Sequence, residues 1–116
     1  MPTHREILRT AYDAFNARDI EAVLAALHTD VTWANSMEGG HVHGREAVRS
    51  YWTRQWAAID PRVEPTGFST GADGEIVVEV HQTVRDLQGV VLVDQMVGHI
   101  FRIENGLITR FDIREA

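Results

Sequence analysis

Residues 97–113 read VGHIFRIENGLITRFDI, two alternating apolar runs around an Asn105-Gly106 pair, and the fold depends on how the two runs are paired. Successive side chains of a strand point to opposite faces, so a slip of one residue carries an entire apolar set from one face to the other. A two-residue Asn105-Gly106 loop sets His99 opposite Asp112, but it mixes Arg110 and Asp112 with Phe101 and Ile103. A three-residue loop, Glu104 to Gly106 with Gly106 left-handed, pairs Ile103 with Leu107 and sets His99 opposite Phe111. This second register gathers His99, Phe101, Ile103, Leu107, Thr109, Phe111 and Ile113 on one face and leaves Gly98, Ile100, Arg102, Ile108, Arg110 and Asp112 on the other. It is the register expected here, and it points Asp112 away from His99.

The same test extends outward to the preceding hairpin. A four-residue loop around Asp86-Leu-Gln-Gly89 puts Ile76, Val78, Val80, Gln82 and Val84 on the face of Val91, Val93, Gln95, Val97 and His99. The inner wall is then aliphatic, with Gln82, Gln95 and His99 as its polar exceptions. The outer face carries His81 opposite Asp94, with Leu92, Met96, Ile100 and Ile108 among charges. A half-apolar sheet face on a small domain fits a partner surface, so a homodimer through the outer face is expected.

Upstream the periodicity is helical. Thr3 and Glu6 have capping-box spacing ahead of Ile7, Leu8, Ala11, Tyr12, Ala14 and Phe15, which predicts a helix ending near Asn16. Asp19 can cap a short second helix carrying Val23, Leu24 and Leu27. From Asp30 alternation predicts a short strand with Val31, Trp33 and Asn35 on one side. Gly39-Gly40 opens a loop, and a third helix follows from Gly44 to about Ile59, rich in aromatics at Tyr51, Trp52 and Trp56. Four strands complete the chain, roughly over 62–70, 75–85, 90–103 and 107–114. The expected fold class is α+β, one domain over residues 1–116, with helices covering one face of a strongly bent, mostly antiparallel sheet.

Composition bounds the function. The 116 residues hold no cysteine, so disulfides, thiolate zinc sites and cysteine nucleophiles are excluded. Eleven basic against 17 acidic residues give a net charge of -6 with no basic run, which argues against nucleic-acid binding. No apolar run approaches a membrane span, and the opening Met-Pro-Thr-His-Arg-Glu has no signal-peptide core, so a cytoplasmic protein without membrane association is expected.

Four segments together resemble one superfamily: Asn16-Ala-Arg-Asp19, the strand Asp30-Val-Thr-Trp-Ala-Asn35, the Gly44-Arg-Glu-Ala-Val opening of the third helix, and Phe101-Arg-Ile-Glu-Asn-Gly-Leu-Ile. They are similar to the nuclear transport factor 2-like superfamily, and more narrowly to its SnoaL-like and ketosteroid-isomerase-like members. The resemblance covers essentially the whole chain. It implies a curved sheet wrapped by three N-terminal helices into a cone around an internal cavity, a small apolar or cyclic ligand, no cofactor, and a dimer. In ketosteroid isomerases the general-base aspartate falls where Asn35 stands, and an amide cannot take a proton from carbon. The oxyanion tyrosine of the first helix falls at about Ala11, with Tyr12 one residue out of phase, and the second oxyanion donor falls at His99. SnoaL-like polyketide cyclases use a histidine and an aspartate on the last strands, where His99 and Asp112 occupy similar places.

The candidate catalytic residues are therefore His99, Asn35 and Asp112. His99, on an apolar face, is expected to be a neutral imidazole, because burial disfavours the charged form. Asn35 beside Trp33 is read as an amide holding a ligand carbonyl. Gln82 and Gln95 either orient a ligand or satisfy each other. Trp33, Trp52, Trp56 and Phe111 are read as aromatic walls. His41-x-His43 with Glu46 has the spacing of a metal site, but the pair lies in a glycine-flanked segment, so no metal is expected and the segment is read as a lid with Met37 and Glu38. The expected function is binding of an apolar or carbonyl-bearing cyclic molecule, with isomerase-, cyclase- or hydratase-like proton transfer or with no turnover at all.

Overall fold

The structure is a computed structural model that describes residues 3–115; Met1 and Pro2, at the start of the segment read for a signal peptide, lie outside them. Three helices precede and interleave with the sheet. These are α1 (His4–Asn16), α2 (Ile20–Ala25), β1 (Leu27–Ala34), β2 (His41–His43), α3 (Arg45–Ala58), β3 (Asp60–Thr70), β4 (Ile76–Arg85), β5 (Val91–Glu104) and β6 (Leu107–Glu115). The six strands form one sheet in the order β2-β1-β6-β5-β4-β3, antiparallel except where β1 runs parallel to β6.

Local chemistry sets the helix ends. Thr3 and Glu6 form the reciprocal capping box at the start of α1. At its far end the Asn16 amide clamps the backbone of Val63, donating to its carbonyl at 2.8 Å and accepting from its N–H at 3.0 Å. Arg18, in the left-handed region at φ 62°, pairs with Asp60 and donates to the Pro61 carbonyl at 2.7 Å. The Asn16-Ala-Arg-Asp19 segment thus fastens the helical hairpin to the first residues of β3. Asp19 then caps α2 by accepting from the Ala22 N–H at 3.3 Å.

The β4–β5 hairpin keeps the expected faces but not the expected partners: with an irregularity between Val84 and Arg85, the pairing is shifted by two residues from that of a four-residue loop, setting Gln82 opposite Gln95, Val80 opposite Val97 and Val78 opposite His99. His81 lies across from Met96, not Asp94, and reaches Asp94 diagonally at 2.5 Å. The last hairpin corrects the expectation. Its loop is the two-residue Asn105-Gly106 turn, both residues at positive φ, with Glu104 opposite Leu107 and Ile103 opposite Ile108. Thr109 is then inserted as a bulge, and beyond it Phe101 faces Phe111 and His99 faces Ile113. His99 is therefore opposite neither Phe111 nor Asp112. The bulge reconciles a tight turn with an apolar face. It also turns Ile108 into the core, 0% exposed, where the outer sheet face had been expected.

The core lies between the concave side of the sheet and the helices. Leu8, Val23, Leu27, Val31, Val48, Trp52, Val78 and Val80 are buried in one cluster there. The first half of β5 projects past it, leaving Val91 and Val93 exposed although they share the inner face. No helix among the described residues is long and apolar enough to cross a membrane.

Candidate ligand cavity

Aromatic side chains from five elements, α1, α3, β1, β5 and β6, meet at one place in the core. Trp33 of β1 stacks on Phe111 of β6 at 4.2 Å between ring centroids and meets Trp52 of α3 edge-on at 5.2 Å. His99 sets its ring edge-on to Phe111 at 4.7 Å. Together with Tyr12, Phe15 and Phe101 these residues line a cavity of about 70 Å³. It shares Ser36, Gln55, Gln82 and His99 with a vestibule of about 640 Å³, rimmed by Asn35, Met37, His41 and Asp112. The vestibule falls in the range of roughly 300–1,000 Å³ usual for small-molecule sites. No Asp, Glu, Lys or Arg lines the inner cavity among the described residues.

His99 is 6% exposed, and its Nδ1 lies 2.6 Å from the Tyr12 hydroxyl. Burial pushes the imidazole pKa down to about 3 and the phenol well above its ordinary value, so both are neutral near pH 7. Among the described residues Nδ1 is the Tyr12 hydroxyl's only partner, so we assign the phenol proton to that bond. Nδ1 is then an acceptor, and the ring proton sits on Nε2, which has no protein partner among the described residues. The pair offers the cavity a neutral N–H donor, not a base.

A second polar group sits nearby on α3. Gln55, also 6% exposed, donates from Nε2 to the Tyr51 hydroxyl at 3.3 Å and to Ser36 Oγ at 3.4 Å. Tyr51 Oη accepts from the Ser36 N–H at 2.9 Å and lies 2.7 Å from Ser36 Oγ. The other end of the Gln55 amide, Oε1, is buried without a partner.

The remaining candidates divide. Trp33, Trp52, Phe111 and Gln82 line the inner cavity, and Gln95 lies in the vestibule, donating to Gln82 at 3.1 Å. Trp56 lines neither space. It packs behind Trp52, against Phe15 and under the Arg18 guanidinium. Asn35 lies past the end of β1, where its Oδ1 accepts from the Met37 and Glu38 N–H groups at 3.0 and 2.9 Å, so its carbonyl oxygen holds a turn. Asp112 is on the sheet face opposite His99. Burial acts to raise its pKa, but hydrogen bonds from Arg110 and His41 outweigh that and hold it below the ordinary carboxylate value. The His41–His43 segment is an edge strand on β1, with His41 2.7 Å from Asp112 and His43 3.3 Å from Thr32 Oγ1. It contributes His41 to the vestibule rim and does not hang over the mouth as a free loop.

Tyr12 and Gln55 were not singled out by the sequence reading. The resemblance puts Tyr12 one residue out of phase with the oxyanion tyrosine, and Gln55 stands between Trp52 and Trp56 on α3 with no role assigned from sequence. The three-residue spacing of Tyr12 and Phe15, and the four-residue spacing of Tyr51 and Gln55, were the available signals.

A curved sheet closed by three helices over such a cavity is the nuclear transport factor 2-like cone, the class also described as ketosteroid-isomerase-like. The SnoaL-like domain family matches residues 8–111, and the chain belongs to it. Among solved structures, a nuclear transport factor 2-like protein of unknown function from Burkholderia pseudomallei is 28% identical, with a TM-score of 0.85 over 100% of this chain and 92% of that one. TerC, co-crystallized with polyporic acid, is 24% identical with a TM-score of 0.82, covering 96% of this chain and 89% of that one. A putative polyketide cyclase from Xanthomonas campestris is 23% identical with a TM-score of 0.79, covering 92% and 85%. No curated protein matches the sequence at a significant level.

Proposed function

We propose that this protein binds a small, largely apolar cyclic molecule through a carbonyl oxygen, which accepts a hydrogen bond from His99 Nε2–H. The observation that carries this reading is the buried Tyr12–His99 pair at 2.6 Å, facing an aromatic cavity. A neutral donor in a dry site strengthens as negative charge grows on the carbonyl oxygen, and one such donor is typically worth 10²- to 10³-fold in rate. That supports cofactor-free isomerase-, cyclase- or hydratase-type chemistry through an enol. TerC's co-crystallization with a small organic molecule is consistent with a ligand-holding cone.

Binding without turnover is favoured by a separate observation. No carboxylate lines the inner cavity, and Asp112, at the vestibule rim, is engaged by Arg110 and His41, so no free carboxylate in the inner cavity is placed to take a proton from carbon. One experiment divides the two readings. A panel of cyclic enones and ketones is titrated by NMR in D₂O, following ligand shifts and α-proton exchange together. Saturable binding with accelerated exchange that is lost in His99→Ala supports an enzyme. Binding with exchange at the buffer rate supports a carrier, and the absence of any His99-dependent binding overturns both.

We also propose that two copies associate through the outer sheet face, where Leu92 and Met96 are 55% and 45% exposed. The exposed arm of β5 supports this reading, since isolated apolar strands seek cover.

A further inference from the structure

Gln55 carries a feature that the carbonyl site does not use. Its amide is buried on α3, its Nε2 is held by Tyr51 and Ser36, and its Oε1 is left without a partner at a position lining both the cavity and the vestibule. Buried polar atoms without a partner are uncommon, and each calls for an explanation. The polar cluster accounts for the orientation. Tyr51 Oη accepts from the Ser36 N–H and from Gln55 Nε2 and lies 2.7 Å from Ser36 Oγ; we assign the Tyr51 proton to that short contact, which leaves Tyr51 an acceptor toward the amide. With Tyr51 filled as an acceptor, the amide turns its N–H₂ toward it and its carbonyl oxygen away.

We propose that Gln55 Oε1 accepts a hydrogen bond from a hydroxyl or N–H of the bound molecule, so that the cavity selects ring compounds carrying both a carbonyl and a hydrogen-bond donor. This rests on the reading that His99 holds the carbonyl. The cavity then presents one neutral donor, His99 Nε2–H, and one neutral acceptor, Gln55 Oε1, between aromatic walls. The recognised class is a hydroxylated, uncharged cyclic ketone, and an anion is disfavoured because no cationic side chain lines the inner cavity among the described residues. A site built to pair a ligand hydroxyl discriminates against the analogue lacking it far more strongly than a purely apolar pocket does.

The test uses 1-tetralone with its ring-hydroxylated and ring-methoxylated derivatives, titrated calorimetrically into the wild-type chain, Gln55→Met and Tyr51→Phe. Methionine keeps the volume and removes the acceptor, while phenylalanine leaves the acceptor but frees the amide to rotate. We expect one hydroxylated isomer to bind wild type at least about tenfold more tightly than the parent and the methoxylated compound. In Gln55→Met that preference should fall to within about twofold while the parent's affinity stays within about twofold. In Tyr51→Phe the preference should be reduced. A hydroxyl preference that survives Gln55→Met overturns the proposal, as does tighter binding of the methoxylated compound, which would mean that Nε2 is the free group. Equal binding of all three compounds by wild type overturns it while leaving the carbonyl site standing. If no tetralone binds, both readings fall together.

Discussion

The Tyr12 hydroxyl lies 2.6 Å from His99 Nδ1, across 87 residues of sequence, and the two rings are parallel to within 7°. α1 supplies the phenol and β5 the imidazole, so the bond exists only when helix and sheet are docked. Its consequence is chemical as well as structural, because a histidine whose Nδ1 is occupied as an acceptor must carry its proton on Nε2.

Tyr12→Phe should release that constraint. The imidazole keeps its burial but loses the partner that fixes its tautomer, and an acceptor is left bare in an aromatic setting. We expect a stability loss of about 1–3 kcal/mol. In long-range ¹H–¹⁵N spectra the single Nε2–H pattern of wild type should give way to a mixture of tautomers. A wild-type spectrum showing Nδ1–H would contradict the assignment directly.

The low pKa of His99 also sets a pH dependence. The unfolded chain takes up a proton near 6.5, whereas the folded chain takes it up only near 3. Between those values only the unfolded state binds the proton, so this contribution is fully present above about pH 6.5 and is lost as the pH falls toward 3, by at most about 1.4 kcal/mol per unit. His99→Gln lacks it. The stability of wild type relative to His99→Gln should therefore drop by about 2 kcal/mol between about pH 7 and pH 5, measured by urea unfolding. Parallel pH profiles for the two proteins would mean that His99 is not desolvated.

Much of the architecture was legible because its signals are local. Thr3 with Glu6, and Asp19, mark helix starts, and face-sorting alone places Gln82 and Gln95 on one inner face, though not as direct partners. The last hairpin shows where such reasoning stops. Turn chemistry favoured two residues at Asn105-Gly106 and face-sorting favoured three; each was right about its own part, because Thr109 is inserted between them. A single bulged residue has no sequence signature of its own. Asn35 was read as continuing a strand, where its side chain competes better by bonding the next two backbone amides but one. Tyr12 was missed for another reason, since the rotation of a helix about its axis is fixed by what it packs on and not by its own period.

The bulge makes its own prediction. Gly106 sits at φ 79° with open space around a would-be side chain, so Gly106→Ala should cost only the conformational strain, about 1 kcal/mol. Deleting Thr109 acts on the bulge itself. It would remove the bulge and let the two-residue register run on with the same partners, Arg102 opposite Arg110, Phe101 opposite Phe111 and His99 opposite Ile113, so no side chain changes face. Both variants should therefore unfold cooperatively, and the alanine variant should melt only a few degrees below wild type. Loss of cooperative unfolding on deleting Thr109 would mean that the bulge itself is needed to bend β6 into the sheet.

The outer face offers a last prediction. Leu92 and Met96 stand two and six residues beyond the exposed Val90 and on the side of β5 away from the cavity, with His81 and Asp94 paired between them. If two copies bury this face, a charge introduced at its centre meets its own symmetry mate in the isologous contact and is repelled. Met96→Glu should then convert a dimer to a monomer in analytical ultracentrifugation at micromolar concentration. The same chain should keep its far-ultraviolet circular dichroism, because the side chain leaves the hydrophobic core untouched. A wild-type chain that sediments as a monomer throughout that range removes the dimer. A dimer unaffected by Met96→Glu or Leu92→Glu places the interface elsewhere on the molecule.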